Sequence, residues 1–215
     1  MDQSLRDCLK GAVANRIAVA HFNIADLSGL KGITSAAREL GVPVMIGTSE
    51  GEREFIGLKN AVALIRNLHE EYGMAFFLNA DHTHSFEKAK EAIDAGYDEI
   101  LFDGGKLPWE ENVAETKRVV AYARASGRDI VVEGEIGYIG STSEVRKEIP
   151  KGAAISAEDL TTPKQAAEFV RLTGVDLLAP AVGNIHGMFA EAKDPALDIP
   201  RIVEIAKGAG VPLVL

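Results

Sequence analysis

A chain of 215 residues, 47% hydrophobic and 26% charged, has ordinary globular composition and enough length to bury one sizeable core, so a single domain spanning 1–215 is expected. A formal net charge of −9 and a pI near 5.1 exclude a broad nucleic-acid or acidic-membrane surface, because polyanions are repelled over most of the molecule. The one cysteine, Cys8, cannot form an internal disulfide, and the sequence shows neither a signal-peptide pattern nor the roughly 18–20 consecutive apolar residues of a spanning helix; a cytoplasmic protein without a membrane partner is expected.

Taken in order, short apolar runs alternate with longer amphipathic stretches. Strand-sized runs lie at Ile17–Phe22, Val42–Ile46, Ala75–Asn79, Glu99–Phe102, Ile130–Glu135, Asp176–Val182 and Pro212–Leu215. Their near-continuous hydrophobicity is that of parallel strands covered on both faces. Helical periodicity fills the intervals at Leu30–Leu40, Leu58–Glu71, Phe86–Ala95, Trp109–Ser126, Pro163–Thr173 and Ile199–Gly208. Several of these stretches end on a glycine just before the next strand, as Leu40-Gly41-Val42 and Thr173-Gly174-Val175 do, which permits the left-handed residue that closes a helix. The repeat predicts an α/β fold with right-handed crossovers. Without Gly-x-Gly-x-x-Gly after the first strand, a (β/α)8 TIM barrel with about seven strands present is favoured over a dinucleotide-binding sheet. Tyr138–Asp159 is the one long connection without a strong period, and its glycine, serine and charged residues predict a mobile, functional loop.

In such folds chemistry gathers at the C-terminal ends of the strands, and the unusual polar residues fall there. His21 and Asn23 follow the first strand, Thr48, Ser49 and Glu50 the second, and Asn79, Asp81, His82 and His84 the third. Asp103 with Gly104 and Gly105 follows the fourth, Glu133 and Glu135 close the fifth, and Gly183, Asn184 and His186 follow the sixth. In the pair Asp81-His82 an imidazole can take a metal while the neighbouring carboxylate faces substrate; the alternative is a polar turn capping the next helix. His186 lies among small residues that let a ligand approach, and it pairs with His82 as a candidate ligand. His84 reads as a helix-start or surface residue and His69, beside Glu70 and Glu71, as a solvated face, while His21 has no assigned role. Glu133 and Glu135 alternate and so point to one side of a strand; two inward carboxylates need hydrogen bonds, cations or protons. Asp103 is either a turn residue or a second metal contact.

Asn79-Ala80-Asp81-His82, Leu101-Phe102-Asp103-Gly104-Gly105 followed by Glu110-Glu111-Asn112, Val132-Glu133-Gly134-Glu135-Ile136-Gly137 and Ala181-Val182-Gly183-Asn184-Ile185-His186-Gly187 together resemble the successive strand-end motifs of class II, metal-dependent fructose-bisphosphate and tagatose-bisphosphate aldolases. The resemblance runs in register from about Ala18 to Leu215. It implies reversible aldol cleavage of a ketose 1,6-bisphosphate to dihydroxyacetone phosphate and glyceraldehyde 3-phosphate, with a zinc ion held by three histidines in place of a lysine Schiff base. Carried over by position, His82 and His186 resemble zinc ligands and Asp81 the acid/base at the C4 hydroxyl. Glu135 and Asp103 resemble carboxylates around a displaced or second metal position. Asn23, Ser49 and Gly187 resemble substrate contacts, Gly187 also near a monovalent-cation and phosphate site. A phosphorylated sugar is the implied partner, and a dimeric or tetrameric homo-oligomer the implied assembly.

Two departures qualify the resemblance. The family's proton-moving glutamate after the fifth strand falls here near Thr142 and Ser143, leaving Glu144, or Glu148, as the substitute. The family also continues beyond a strand like Pro212–Leu215 into His-Gly-Gly/Ala-Ser, which carries its third metal histidine and phosphate-binding backbone. The alternatives are therefore an inactive scaffold or partner-completed subunit, and a metal-dependent barrel enzyme acting on another phosphorylated carbonyl compound.

Overall fold

The structure is a computed structural model that describes residues 4–140, 145–146, 153, 156, 158–190 and 195–215. Its contacts cluster into two compact units, Met1–Phe102 with Ala121–Val132, and Asp103–Val120 with Glu133–Leu215.

The first unit opens on a helix the apolar pattern does not announce, α1 (Leu5–Asn15). Ser4 caps it by accepting from the Asp7 amide, and Leu5, Cys8 and Ala12 are buried. Then follow β1 (Ala20–Asn23), α2 (Leu27–Leu40), β2 (Val44–Thr48), α3 (Glu50–Ile56), α4 (Leu58–Tyr72), β3 (Phe76–Thr83), α5 (Phe86–Ala95) and β4 (Glu99–Phe102). Helix starts follow side-chain chemistry: Asp26 accepts from the Gly29 amide at α2, and Ser85 from the Lys88 amide at α5. Gly41 and Gly96 end these helices at positive φ. Strands β1 to β4 are parallel neighbours in chain order. β2, β3 and β4 are buried throughout, as their apolar runs require, whereas all four β1 residues are exposed.

Two strand boundaries differ from the sequence reading by three residues or more. The first strand begins at Ala20, since α1 extends to Asn15 and is closed by Arg16 at φ 55. The third runs on from Asn79 through Asp81 and His82 to Thr83. Its pairing with β4 is regular at Asn79↔Glu99 and Ala80↔Ile100, then slips, resuming at Thr83↔Phe102. Asp81 and His82 occupy the slip.

Helix α6 (Trp109–Ala125) and strand β5 (Val131–Ile136) contribute to both units. In the first, the Val131 amide donates to Asp98 O. In the second, β5 from Glu133 onward pairs in parallel with β7 (Leu177–Pro180), after α7 (Pro163–Thr173). Thr162 and Gln165 form a capping box at the start of α7. Gly134 is where α7 rests on the strand: a Cβ there would lie 2.7 Å from the Phe169 ring, which also meets Trp109 edge-on at 5.7 Å between centroids.

Two short strands, β6 (Val145–Arg146) and β8 (Met188–Phe189), pair in parallel, so the 138–159 connection carries a strand that no apolar period announces. Helix α8 (Ile199–Ala209) follows, capped by Asp198 on the Arg201 amide. The expected seventh strand is reduced to a bridge between Leu213 and Leu178, with hydrogen bonds Leu178 N to Pro212 O and Val214 N to Leu178 O.

Candidate active site

In the first unit Asn23, Ser49 and Asp81 form one connected network with Glu52. Asn23 Nδ2 donates to Asp81 Oδ2 at 2.8 Å and to Glu52 Oε2 at 3.2 Å. The same Glu52 oxygen accepts from the Ser49 amide at 2.6 Å, so Asn23, Ser49 and Asp81 are brought together through a residue that reads in sequence as part of a charged run. The space for this is provided by Gly47, opposite Asn23 on β2, where a Cβ would run directly into the His21 and Asn23 side chains.

Asp81 and His82 are both buried, at 7% and 6% exposure. His82 has φ 42, which only Arg16 among the other described non-glycine residues approaches in sign. Left-handed backbone costs an L-residue about 1–2 kcal/mol. Such conformations persist where surrounding structure enforces them, and they cluster at functional sites. His82 falls within the slip between β3 and β4. His84 lies beyond the slip, its amide donating to Glu50 Oε1 at 2.9 Å, and its half-exposed ring belongs to the strand-to-helix turn.

In the second unit Asp103 and Glu135 come together. Both are buried, and a carboxylate oxygen of each lies within 4.8 Å of the other. Gly105 sits against both: a Cβ there would be 2.9 Å from Glu135 Oε1 and 3.3 Å from Asp103 Oδ1. Its amide donates to Asp103 Oδ1 at 3.1 Å. Two buried carboxylates this close repel unless a cation or proton lies with them, so the donor set and the glycine-lined space fit a metal ion. Asn112 of α6 fixes the arrangement from behind. Its Nδ2 donates to Glu135 O at 2.8 Å, its Oδ1 accepts from Thr116 Oγ1, and it lies directly against Gly104. Thr161 ties β5 to the segment after β7, donating to Ile136 O and accepting from the Ala181 amide.

His186 and Gly187 lie in the segment between β7 and β8, half-buried; the His186 amide donates to Ile139 O at 2.8 Å. Gly183, at φ 99, faces the backbone of Ala196 and Leu197 so closely that no side chain fits. Glu144, Glu148, Thr142 and Ser143 lie outside the described residues.

The family model of class-II fructose-bisphosphate aldolases matches residues 3–215. The chain belongs to this family. Fructose-bisphosphate aldolases of Staphylococcus aureus and Geobacillus stearothermophilus are each 36% identical to it over 215 residues, covering 99% of the chain and 71% of the relative. The crystal structure of the YdjI aldolase from Escherichia coli K12 superposes with a TM-score of 0.82 at 28% identity, over 99% of this chain and 71% of that one. The expected α/β fold is thus that of an aldolase barrel, in part, and the class of reaction is aldol cleavage by a carbon–carbon lyase. No helix among the described residues is long and apolar enough to cross a membrane.

Proposed function

We propose that this chain, as one aldolase domain, cleaves a ketose 1,6-bisphosphate, fructose or tagatose, reversibly into dihydroxyacetone phosphate and glyceraldehyde 3-phosphate, with zinc as its metal. The observation that carries the reading is the Asn23–Asp81 hydrogen bond beside the left-handed His82: an oriented carboxylate next to an imidazole held in an enforced conformation.

His82 and His186 are the residues assigned to hold the zinc ion, with Glu135 and Asp103 as carboxylates for a displaced or second metal position. The bound ion supplies a Lewis acid that polarises the substrate ketone. Asp81 takes the proton from the C4 hydroxyl as the C3–C4 bond breaks and C4 leaves as the aldehyde carbonyl. Asn23 holds that carboxylate in place, and Asn23, Ser49 and Gly187 contact substrate, Gly187 near a phosphate and a monovalent cation. Glu144 is assigned the proton transfer at C3 of the remaining three-carbon fragment. A cytoplasmic homo-oligomer in sugar-phosphate metabolism is the setting that fits, in accord with the single buried Cys8 and the acidic surface.

The test is an assay of fructose and tagatose 1,6-bisphosphate cleavage. It uses the 215-residue chain and the same chain followed by a His-Gly-Gly-Ser-bearing segment. Asp81→Asn is expected to lower kcat by about 10²–10⁴-fold in the active form, the usual contribution of a positioned acid/base. An Asp81→Asn enzyme with unchanged kcat contradicts the assignment.

A further inference from the structure

We propose that Arg53 is a positioning residue whose guanidinium locks His82 in its left-handed conformation and so presents the imidazole to a metal ion. The inference rests on His82 being a metal ligand.

Arg53 is 4% exposed, unusual for a side chain that is almost never fully buried unless paired. It is the fourth residue of α3, and its amide donates to Ser49 O at 2.8 Å. The side chain leaves the helix and reaches the C-terminal end of β3. Nη1 donates to Thr48 O and, at 3.0 Å, to Asp81 O; Nη2 donates to Thr83 Oγ1 at 3.1 Å. The two β3 acceptors belong to the residues immediately before and after His82. Thr83 Oγ1 in turn donates to Ala80 O at 3.0 Å, closing the slipped segment on itself.

One planar fork thus holds both flanks of the residue whose backbone is strained. A guanidinium suits this because its donors diverge in fixed directions. A lysine ammonium carries charge and donors but is a compact point that cannot reproduce the span from Asp81 O to Thr83 Oγ1. Without the fork, His82 relaxes toward the extended backbone of its neighbours, which swings the imidazole away from its present direction.

The experiment uses the 215-residue chain with Arg53→Lys, Arg53→Met and His82→Ala, reading amide hydrogen exchange in the metal-free chain and cobalt(II) affinity by visible absorption. In Arg53→Lys, exchange over residues 81–84 is expected to rise about tenfold or more, while α2 and α5 keep wild-type protection. Cobalt(II) affinity is expected to fall about 10–100-fold, the usual effect of losing a residue that orients a ligand. Should Arg53→Met fail to fold, Arg53→Lys carries the test, with Thr83→Val as a further variant removing one anchor. Local exchange or cobalt(II) affinity within twofold of wild type in a folded Arg53 variant overturns the proposal. If His82→Ala binds cobalt(II) as tightly as wild type, His82 is not a ligand, and the proposal falls through its premise.

Discussion

His82 concentrates the proposed chemistry and the strain at one residue. Its φ of 42, in a fully buried strand, falls where the β3–β4 register slips, and such a conformation persists where surrounding structure enforces it. Asparagine tolerates the left-handed region but offers no imidazole. His82→Asn is therefore expected to keep the melting temperature within a few degrees of wild type while weakening zinc binding by about tenfold or more; calorimetry and a zinc titration check the two halves. Single residues are only partly readable in the sequence. Asp81 and His82 stand out as adjacent polar residues after an apolar run, but the slip that reorients His82 is a property of pairing with β4 and leaves no trace in β3. Arg53, in the run Glu50-Gly51-Glu52-Arg53-Glu54, looks like any solvated charge. Its burial is decided by where α3 begins.

Among the elements, β5 shows how alternation serves two faces. Glu133 and Glu135 occupy one side and Gly134 the other, where Phe169 of α7 closes on the strand. Gly134→Ala puts a methyl group 2.7 Å from the Phe169 ring and is expected to cost about 1–3 kcal/mol, readable as a lower denaturation midpoint. At the start of β4, Asp98 Oδ2 accepts from the Leu78 amide at 2.8 Å. Burial pushes its carboxyl up from the ordinary value of 3.8, against the Leu78 hydrogen bond and the nearby Arg128, Arg66 and His69. A folded value above the unfolded one means that Asp98 supports the fold below the unfolded value and loses that support as pH rises through the folded value. A carboxamide cannot ionise, so Asp98→Asn is expected to gain stability relative to wild type as pH rises from about 4 to about 7; chemical denaturation across that range checks it, and a difference that stays constant contradicts it. The periodicity located α2, α4, α5, α6, α7 and α8 closely. It missed α1, whose apolar residues Leu5, Cys8 and Ala12 are spread thinly among charges, and α3, too short for a period to show.

Over the chain as a whole, the order of strands and helices and the succession of motifs were legible, because parallel strands and their terminal polar residues leave a local record. The Leu213 bridge, the β6–β8 pair and Asn112 behind Glu135 were not, since each depends on residues far apart in sequence. Membership of the class-II fructose-bisphosphate aldolase family places aldol cleavage on this scaffold. The proposed function stands or falls on zinc held by His82 and His186. Zinc removal and return tests this dependence: the active form, dialysed against chelator, is assayed for ketose 1,6-bisphosphate cleavage before and after one equivalent of zinc. Activity is expected to disappear with the metal and to return with zinc in wild type but not in His82→Ala or His186→Ala. Cleavage that persists after complete zinc removal, or returns equally in those variants, contradicts the zinc assignment.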